Sequence, residues 1–279
     1  MNLLVVLYGL EKLRQICMYA RPNANSFCNL VEVNEKNPTL VLLHGMGATA
    51  QIWEPLIAAS DWPGRVVAPD FRGHGAAEWH KRYTLGSLAS DVIDLLDHDE
   101  RYIVLGHSMG GGVGLALGSG FFGNPPLGLA ILGLKIIWSE EDLIRIPKMA
   151  SKPPKIFQTR SEAIDWFLKL SGLIGIVDPT SSLVQRGIRQ IEDGWMVSQD
   201  PSSFHTAPRH FLQSLGSITK MKIPIAMALG SADPVASIED HELLPIETPI
   251  VFEGLGHNPM VEDPHLVWNW FLKFASNLS

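Results

Sequence analysis

An α/β fold is predicted for this 279-residue sequence: a mostly parallel sheet with helices on both faces and a helical insertion. Three observations predict it. Short continuous apolar runs alternate with segments of helical period, as buried strands joined by crossover helices require. Several of those runs end in glycine-rich turns. The alternation is broken once, between about residues 135 and 213, where helical signals recur without a clear central strand. The length suits one domain carrying an insertion better than two independent domains. The predicted division is therefore a core of residues 1–134 and 214–279 with a helical lid of residues 135–213.

The elements follow in order. Leu7, Leu10, Leu13 and Ile16/Cys17 recur at helical spacing and predict a packed amphipathic helix. That stretch has no basic n-region, is interrupted by Glu11-Lys12, and is too short to span a bilayer. Phe27 to Val33 predicts a strand, and Thr39 to Leu43 a second, buried one that ends in His44-Gly45-Met46-Gly47. A helix to Ala59 follows, with Trp53 on its buried face. Arg65 to Ala68 is a short strand opening into Pro69-Asp70-Phe71-Arg72-Gly73-His74-Gly75. Thr84 suits an N-cap, and Leu85, Leu88, Val92 and Leu95/Leu96 repeat at helical period. Tyr102 to Leu105 and Leu127 to Leu132 predict buried strands on either side of a helix from Met109 to Gly118. Within the insertion, helices are predicted around Glu141–Met149, Glu162–Leu170 and Ser182–Ile191. Ile223 to Leu229 and Thr248 to Phe252 resume the strands. Asp263 as N-cap and Pro264 at the first position begin a final helix running to about Asn277.

Composition narrows the function. A net charge of −7 and the lack of a basic stripe interleaved with aromatics exclude nucleic acid as a partner. Two cysteines, Cys17 and Cys28, form neither a disulfide framework nor a metal-ligand spacing. They fit a reducing compartment, so a cytoplasmic location is expected, with a single disulfide left open. The ten histidines include no His-Glu-x-x-His, and no Gly-x-Gly-x-x-Gly opens a first helix. No metal and no cofactor are expected. Oligomeric state is left open.

The most informative segment is Gly106-His107-Ser108-Met109-Gly110. A strand that turns sharply into a helix through one serine strains that residue's backbone, and a Cβ two positions to either side would collide with strand or helix. The hydroxyl is left exposed at a helix N-terminus, where backbone N–H groups favour developing negative charge.

Five ordered motifs then carry a resemblance. His44-Gly45-Met46-Gly47, Asp70 to Gly75, Gly106 to Gly111, Gly230-Ser231-Ala232-Asp233-Pro234 and Gly256-His257-Asn258-Pro259 together resemble the α/β-hydrolase superfamily, in its group of single-domain serine hydrolases with a helical cap. The likeness spans roughly Phe27 to Asn277. It implies Ser108 as nucleophile, His257 as base and Asp233 as the acid that holds the imidazole. Asp240, Glu140 and Asp142 stay open as alternative acids. The backbone N–H groups of Met46 and Met109 are the expected oxyanion hole. His44 is expected to support its loop, His107 to pack with its ring away from the serine hydroxyl, and Asp70 and Arg72 to tie loops together. Ala76-Ala77-Glu78 departs from the Ser/Thr common after the Asp70 motif.

A serine at the turn argues against haloalkane dehalogenase and epoxide hydrolase chemistry, which use a carboxylate nucleophile. The expected activity is hydrolysis of small carboxylic esters with apolar acyl or alkyl groups. Trp138, Trp166, Phe167 and Trp195 of the lid are candidate substrate contacts. The alternatives are C–C bond hydrolysis, hydroxynitrile-lyase-like chemistry, or slow-turnover ligand binding of the kind found in receptor-like relatives.

Overall fold

A computed structural model describes residues 16–19, 37–206, 221–244 and 246–278 of the chain. Among the described residues, seven strands form one sheet: β1 (Ile16–Tyr19), β2 (Thr39–Leu43), β3 (Val66–Pro69), β4 (Tyr102–His107), β5 (Leu129–Leu132), β8 (Ile225–Gly230) and β9 (Ile250–Phe252). β6 (Ile188–Ile191) and β7 (Gly194–Val197) form a separate antiparallel hairpin. The large sheet has the order β1-β3-β2-β4-β5-β8-β9, and every adjacent pair is parallel.

Ile16 and Cys17 correct the expectation of an N-terminal helix. They belong to an edge strand, with Ile16 opposite Val66 and Cys17 opposite Val67. The run Ile-Cys-Met-Tyr, with a β-branched residue at one end and an aromatic at the other, extends readily, and β3 offers it an open edge. Leu7, Leu10 and Leu13, and the strand expected at Phe27 to Val33, lie outside the described residues.

The central strands are buried on both faces, and their two-residue period sorts side chains between two cores. Leu40, Leu42, Ile103, Leu105, Ala130 and Leu132 point into one. Val41, Leu43, Tyr102, Val104, Leu129 and Ile131 point into the other. On the first face lie α1 (Glu54–Ala59) and the last helix, α9 (Pro264–Ala275), through Leu56, Val267, Trp268 and Phe271. On the second lie α2 (Leu85–Ile93) and α3 (Met109–Gly118), through Leu88, Val92, Val113 and Leu117. Thr84 caps α2 in a reciprocal box with Ser87, each side chain accepting the other's backbone N–H at 3.0 Å. Asp263 caps α9 by accepting from the Leu266 N–H at 2.9 Å.

Between β5 and β8 the chain forms α4 (Glu140–Ala150), α5 (Arg160–Ser171) and α6 (Ser182–Gln185), then the β6–β7 hairpin. The helix expected over Ser182–Ile191 ends at Gln185. The Asp193-Gly194 turn signal and the antiparallel partner Gly194–Val197 favour a hairpin, which closes through Glu192-Asp193. Phe157, Ile164, Phe167, Leu183 and Val184 of this segment continue the core of the first face. The described residues also form α7 (Ile238–His241) and α8 (Pro259–Glu262). Among the described residues, no helix is long and apolar enough to cross a membrane.

The chain runs outward from β2 to β3 in one direction and from β4 to β9 in the other. The strand order therefore reverses between β2 and β4, and the crevice beyond their C-terminal ends is where an open parallel sheet leaves room for a ligand. His44 to Gly47 follow β2, and Ser108 follows β4.

Candidate active site

Ser108 alone separates β4 from α3. Its backbone sits at φ 51° and ψ −115°, and it is the one non-glycine with positive φ among the described residues. Such a conformation costs on the order of 1–3 kcal/mol and persists only where its surroundings fix it. Here they do. The Ser108 N–H donates to the Leu132 carbonyl at 2.8 Å, and its own carbonyl accepts from Gly111 at 2.9 Å. A Cβ on Gly110 would lie 2.1 Å from the Leu43 carbonyl oxygen, and one on Gly106 would lie 2.5 Å from the Gly110 oxygen. Only glycines let α3 start this close to β2 and β4.

His257 stands in the loop between β9 and α8, and Asp233 follows β8. The imidazole Nδ1 donates to both carboxylate oxygens, at 3.0 Å and 2.9 Å. The Asp233 side chain is fully buried. Burial works against its charge, but the hydrogen bond and charge of His257, with the Val235 and Ala236 N–H groups, hold its carboxyl below the usual range. The alternative acid Asp142 is committed elsewhere, to Lys135 at 2.6 Å and Arg145 at 2.8 Å. Among the described residues, no hydrogen bond joins His257 to Asp240 or Glu140.

His107 differs from its expected role as plain packing. Its ring lies against that of His257, with centroids 4.7 Å apart, and its Nε2–H donates to the His257 carbonyl at 2.8 Å. Burial, with the neighbouring His257, drops its pKa to about 3, so it stays neutral. Two further residues that the sequence analysis did not single out fix the same loop. Glu262 accepts the N–H groups of Gly256 at 2.7 Å and Asn258 at 3.0 Å. Fully buried Asn258 donates to the carbonyls of Ser171 at 3.1 Å and Gly172 at 3.0 Å, at the C-terminus of α5. The available signal was the Asn-Pro after the histidine and a glutamate four residues beyond that asparagine.

His44 supports its loop as expected. Nδ1–H donates to Gly45 at 2.8 Å and Nε2 accepts from the Phe71 N–H at 3.0 Å, which specifies a neutral tautomer. Burial lowers its pKa to about 4. Asp70 accepts from Ala50 at 2.8 Å and Ala76 at 3.0 Å, and burial raises its pKa despite those donors and Arg186. Arg72 grips Asp91 of α2 with two bonds, at 2.5 Å and 2.6 Å. These residues tie loops together, and the backbone of Ala76 makes its bond without the hydroxyl that the motif usually supplies.

Ser108 and His257 face one cavity of about 1160 Å³, which Met46 and Met109 also line. Neither methionine's N–H donates to a backbone carbonyl among the described residues. Of the four lid candidates, Trp138 and Trp166 line this cavity, with Ile146, Leu170, Ile176 and Phe204. Phe167 and Trp195 do not. The Phe167 ring is buried over Gly187, where a Cβ would come within 2.3 Å of it, and Trp195 lies in β7, its backbone paired with Phe157.

Similarity to known proteins agrees with this geometry. The chain is 28% identical to 3-oxoadipate enol-lactonase 1 of Acinetobacter baylyi over 235 residues, covering 77% of this chain and 79% of that one. Its fold matches the thioesterase domain from the curacin biosynthetic pathway with a TM-score of 0.68 at 19% identity, covering 86% and 92% of the two chains. An esterase of Mycobacterium tuberculosis superposes with a TM-score of 0.68 at 17% identity, covering 86% and 84%. The sequence profile of the alpha/beta hydrolase family matches residues 40–270. That match runs from β2 into the last helix, through the serine turn and both loops that carry His257 and Asp233, and the chain belongs to the alpha/beta hydrolase family.

Proposed function

We propose that this hydrolase cleaves carboxylic esters through an acyl-enzyme on Ser108. The observation that carries the reading is the His257–Asp233 pair, held rigidly at the wall of the cavity onto which the strained Ser108 opens. The Ser108 hydroxyl attacks the ester carbonyl carbon as its proton passes to His257 Nε2. The tetrahedral oxyanion meets the N–H groups of Met46 and Met109, each donor of this kind supplying about 10²–10³ in rate. The imidazolium returns the proton to the departing alkoxide. Water, deprotonated by His257, then attacks the acyl carbon and releases the acid and free Ser108. Asp233 keeps the proton on Nδ1 and stabilises the imidazolium without itself taking a proton.

In this reading residues 135–213 form a helical cap over a core of residues 1–134 and 214–279. Trp138, Trp166 and their aliphatic neighbours give the cavity an apolar wall suited to an acyl or alkyl group. An enol-lactone is a cyclic ester, so the relative named for one favours ester cleavage over C–C cleavage. The test is active-site labelling by a fluorophosphonate together with turnover of activated esters. Stoichiometric labelling of Ser108, abolished in Ser108→Ala, is expected. Unchanged turnover in Ser108→Ala would overturn the mechanism.

A further inference from the structure

The charges around the cavity run against those of the chain. The whole sequence has 22 basic and 29 acidic residues. Of the residues that line the cavity, five are basic (Lys135, Arg145, Lys152, Lys155 and Lys169) and one, Asp142, is acidic. The lining thus carries a net +4, five less one, inside a protein of net −7.

The cations fall into two groups. Lys135 and Arg145 share the Asp142 carboxylate, which they hold well below the usual range. One positive charge is left over there. The second group gathers around Trp166. Lys155 Nζ lies 4.6 Å from that ring's centroid and 4.7 Å from that of Phe157, and Lys169 Nζ lies 5.7 Å from Trp166 on its own account. Lys152, in the link between α4 and α5, lines the same cavity. The acid nearest to Lys155 in sequence within α5, Glu162, accepts from the backbone N–H and hydroxyl of Thr159 at 3.0 Å each, and those bonds, with a smaller attraction to Lys155, hold its carboxyl below the usual range. None of these three lysines has a carboxylate within ion-pair distance among the described residues.

A cation over an exposed aromatic ring gains about 0.5–1 kcal/mol, and two ammonium groups on one ring repel each other. Ring packing therefore does not account for two lysines over Trp166 and a third, Lys152, lining the same cavity. A walled cleft lined by one sign of charge concentrates ligands of the opposite sign. From this we infer that the substrate carries an anionic group, a carboxylate or a phosphate, which the Lys152–Lys155–Lys169 cluster receives while the ester bond lies at Ser108. This rests on the ester reading for the bond cleaved, and on the cavity lining alone for the charge.

Two matched pairs place the anion on either side of the scissile bond. One pair is 4-nitrophenyl hydrogen adipate against 4-nitrophenyl hexanoate. The other is the hexanoyl thioester of phosphopantetheine against that of pantetheine. The anionic member of at least one pair is expected to have a kcat/KM at least about tenfold higher at low salt, with the gap narrowing as ionic strength rises. The pair that shows it identifies which side bears the anion. In Lys152→Gln/Lys155→Gln/Lys169→Gln the ratio is expected to fall to about one. Lys148→Gln, which removes a charge from α4 outside the cavity lining, is expected to keep it. Equal rates within both pairs, or a preference that survives the triple substitution, would overturn the inference. If no ester or thioester is turned over, the ester reading fails and binding decides the charge. Titration of Ser108→Ala with N-butyladipamate and N-butylhexanamide then supports the inference if the anionic amide binds tighter, and overturns it if the two bind alike.

Discussion

Ser108 is held in a conformation that only its neighbours make affordable, and His257 is held both at its ring and through its loop. Three separate devices fix that imidazole: Asp233 at Nδ1, the His107 N–H at its carbonyl, and Glu262 bracketing its loop. Position in the sequence pointed to Ser108, Asp233 and His257 because each follows a recognisable strand. It could not assign His107 or Glu262, whose partners are backbone groups 150 and 4 to 6 residues away and leave no side-chain pairing to notice. On the proposed mechanism, Asp233→Asn keeps the shape of the site but no longer favours the Nδ1–H tautomer. Its kcat is expected to fall by about 10⁴-fold with KM little changed. Steady-state kinetics on an activated ester measures both, and a loss confined to KM would contradict the assignment.

At the scale of elements, the strands were legible wherever both faces are buried, since an apolar run bounded by glycine-rich turns has few other solutions. The β6–β7 hairpin was not, because Ile188-Arg189-Gln190-Ile191 has its apolar residues three apart and continues the preceding helical signal until the partner strand is known. Ile16 and Cys17 fit a helix by spacing, and the free edge of β3 decides for a strand. The serine turn makes a sharper demand on sequence. Gly110→Ala drives a Cβ into the backbone carbonyl of Leu43, which no rotamer change relieves, and is expected to cost about 3 kcal/mol of stability. Gly175→Ala faces open space at φ 75° and is expected to cost about 1 kcal/mol, from backbone strain alone. Urea unfolding midpoints of the two variants separate these causes. Asn258 joins the loop of His257 to the end of α5, so it couples two parts of the chain 86 residues apart. Asn258→Ala strands the buried carbonyl of Ser171, frees the more exposed one of Gly172, and is expected to lose about 2 kcal/mol of stability, with kcat falling more than KM rises. Calorimetric unfolding and steady-state kinetics check the two parts.

For the whole molecule, the loops at the C-terminal ends of β2, β3 and β4 share one vulnerability to acid. Burial lowers the pKa of His44 to about 4, of His74 to about 3 and of His107 to about 3. In the unfolded chain each would titrate near the ordinary value of 6.5. Between those limits the unfolded state binds protons that the native state refuses, so stability rises with pH and is fully present only above 6.5. Each histidine contributes about 1.4 kcal/mol per pH unit within that window, or about 4 for all three. Asp70 acts in the opposite sense, because burial raises its pKa and native protonation there offsets part of the loss on acidification. Asp233, with its pKa lowered, adds to the loss as the pH falls through the carboxylate range. For a domain stable by about 8 kcal/mol at neutral pH, the histidines alone bring unfolding to about pH 4.5. Tryptophan fluorescence followed against urea at fixed pH values from 7.5 to 4.5 is expected to show midpoints falling steeply below 6.5. His107→Gln, which retains a donor for the His257 carbonyl, is expected to lessen that slope by about one third. Stability that stays flat between pH 7 and 5 would mean that these rings are protonated in the native state, and that the neutral tautomers assigned to His44 and His107 are wrong.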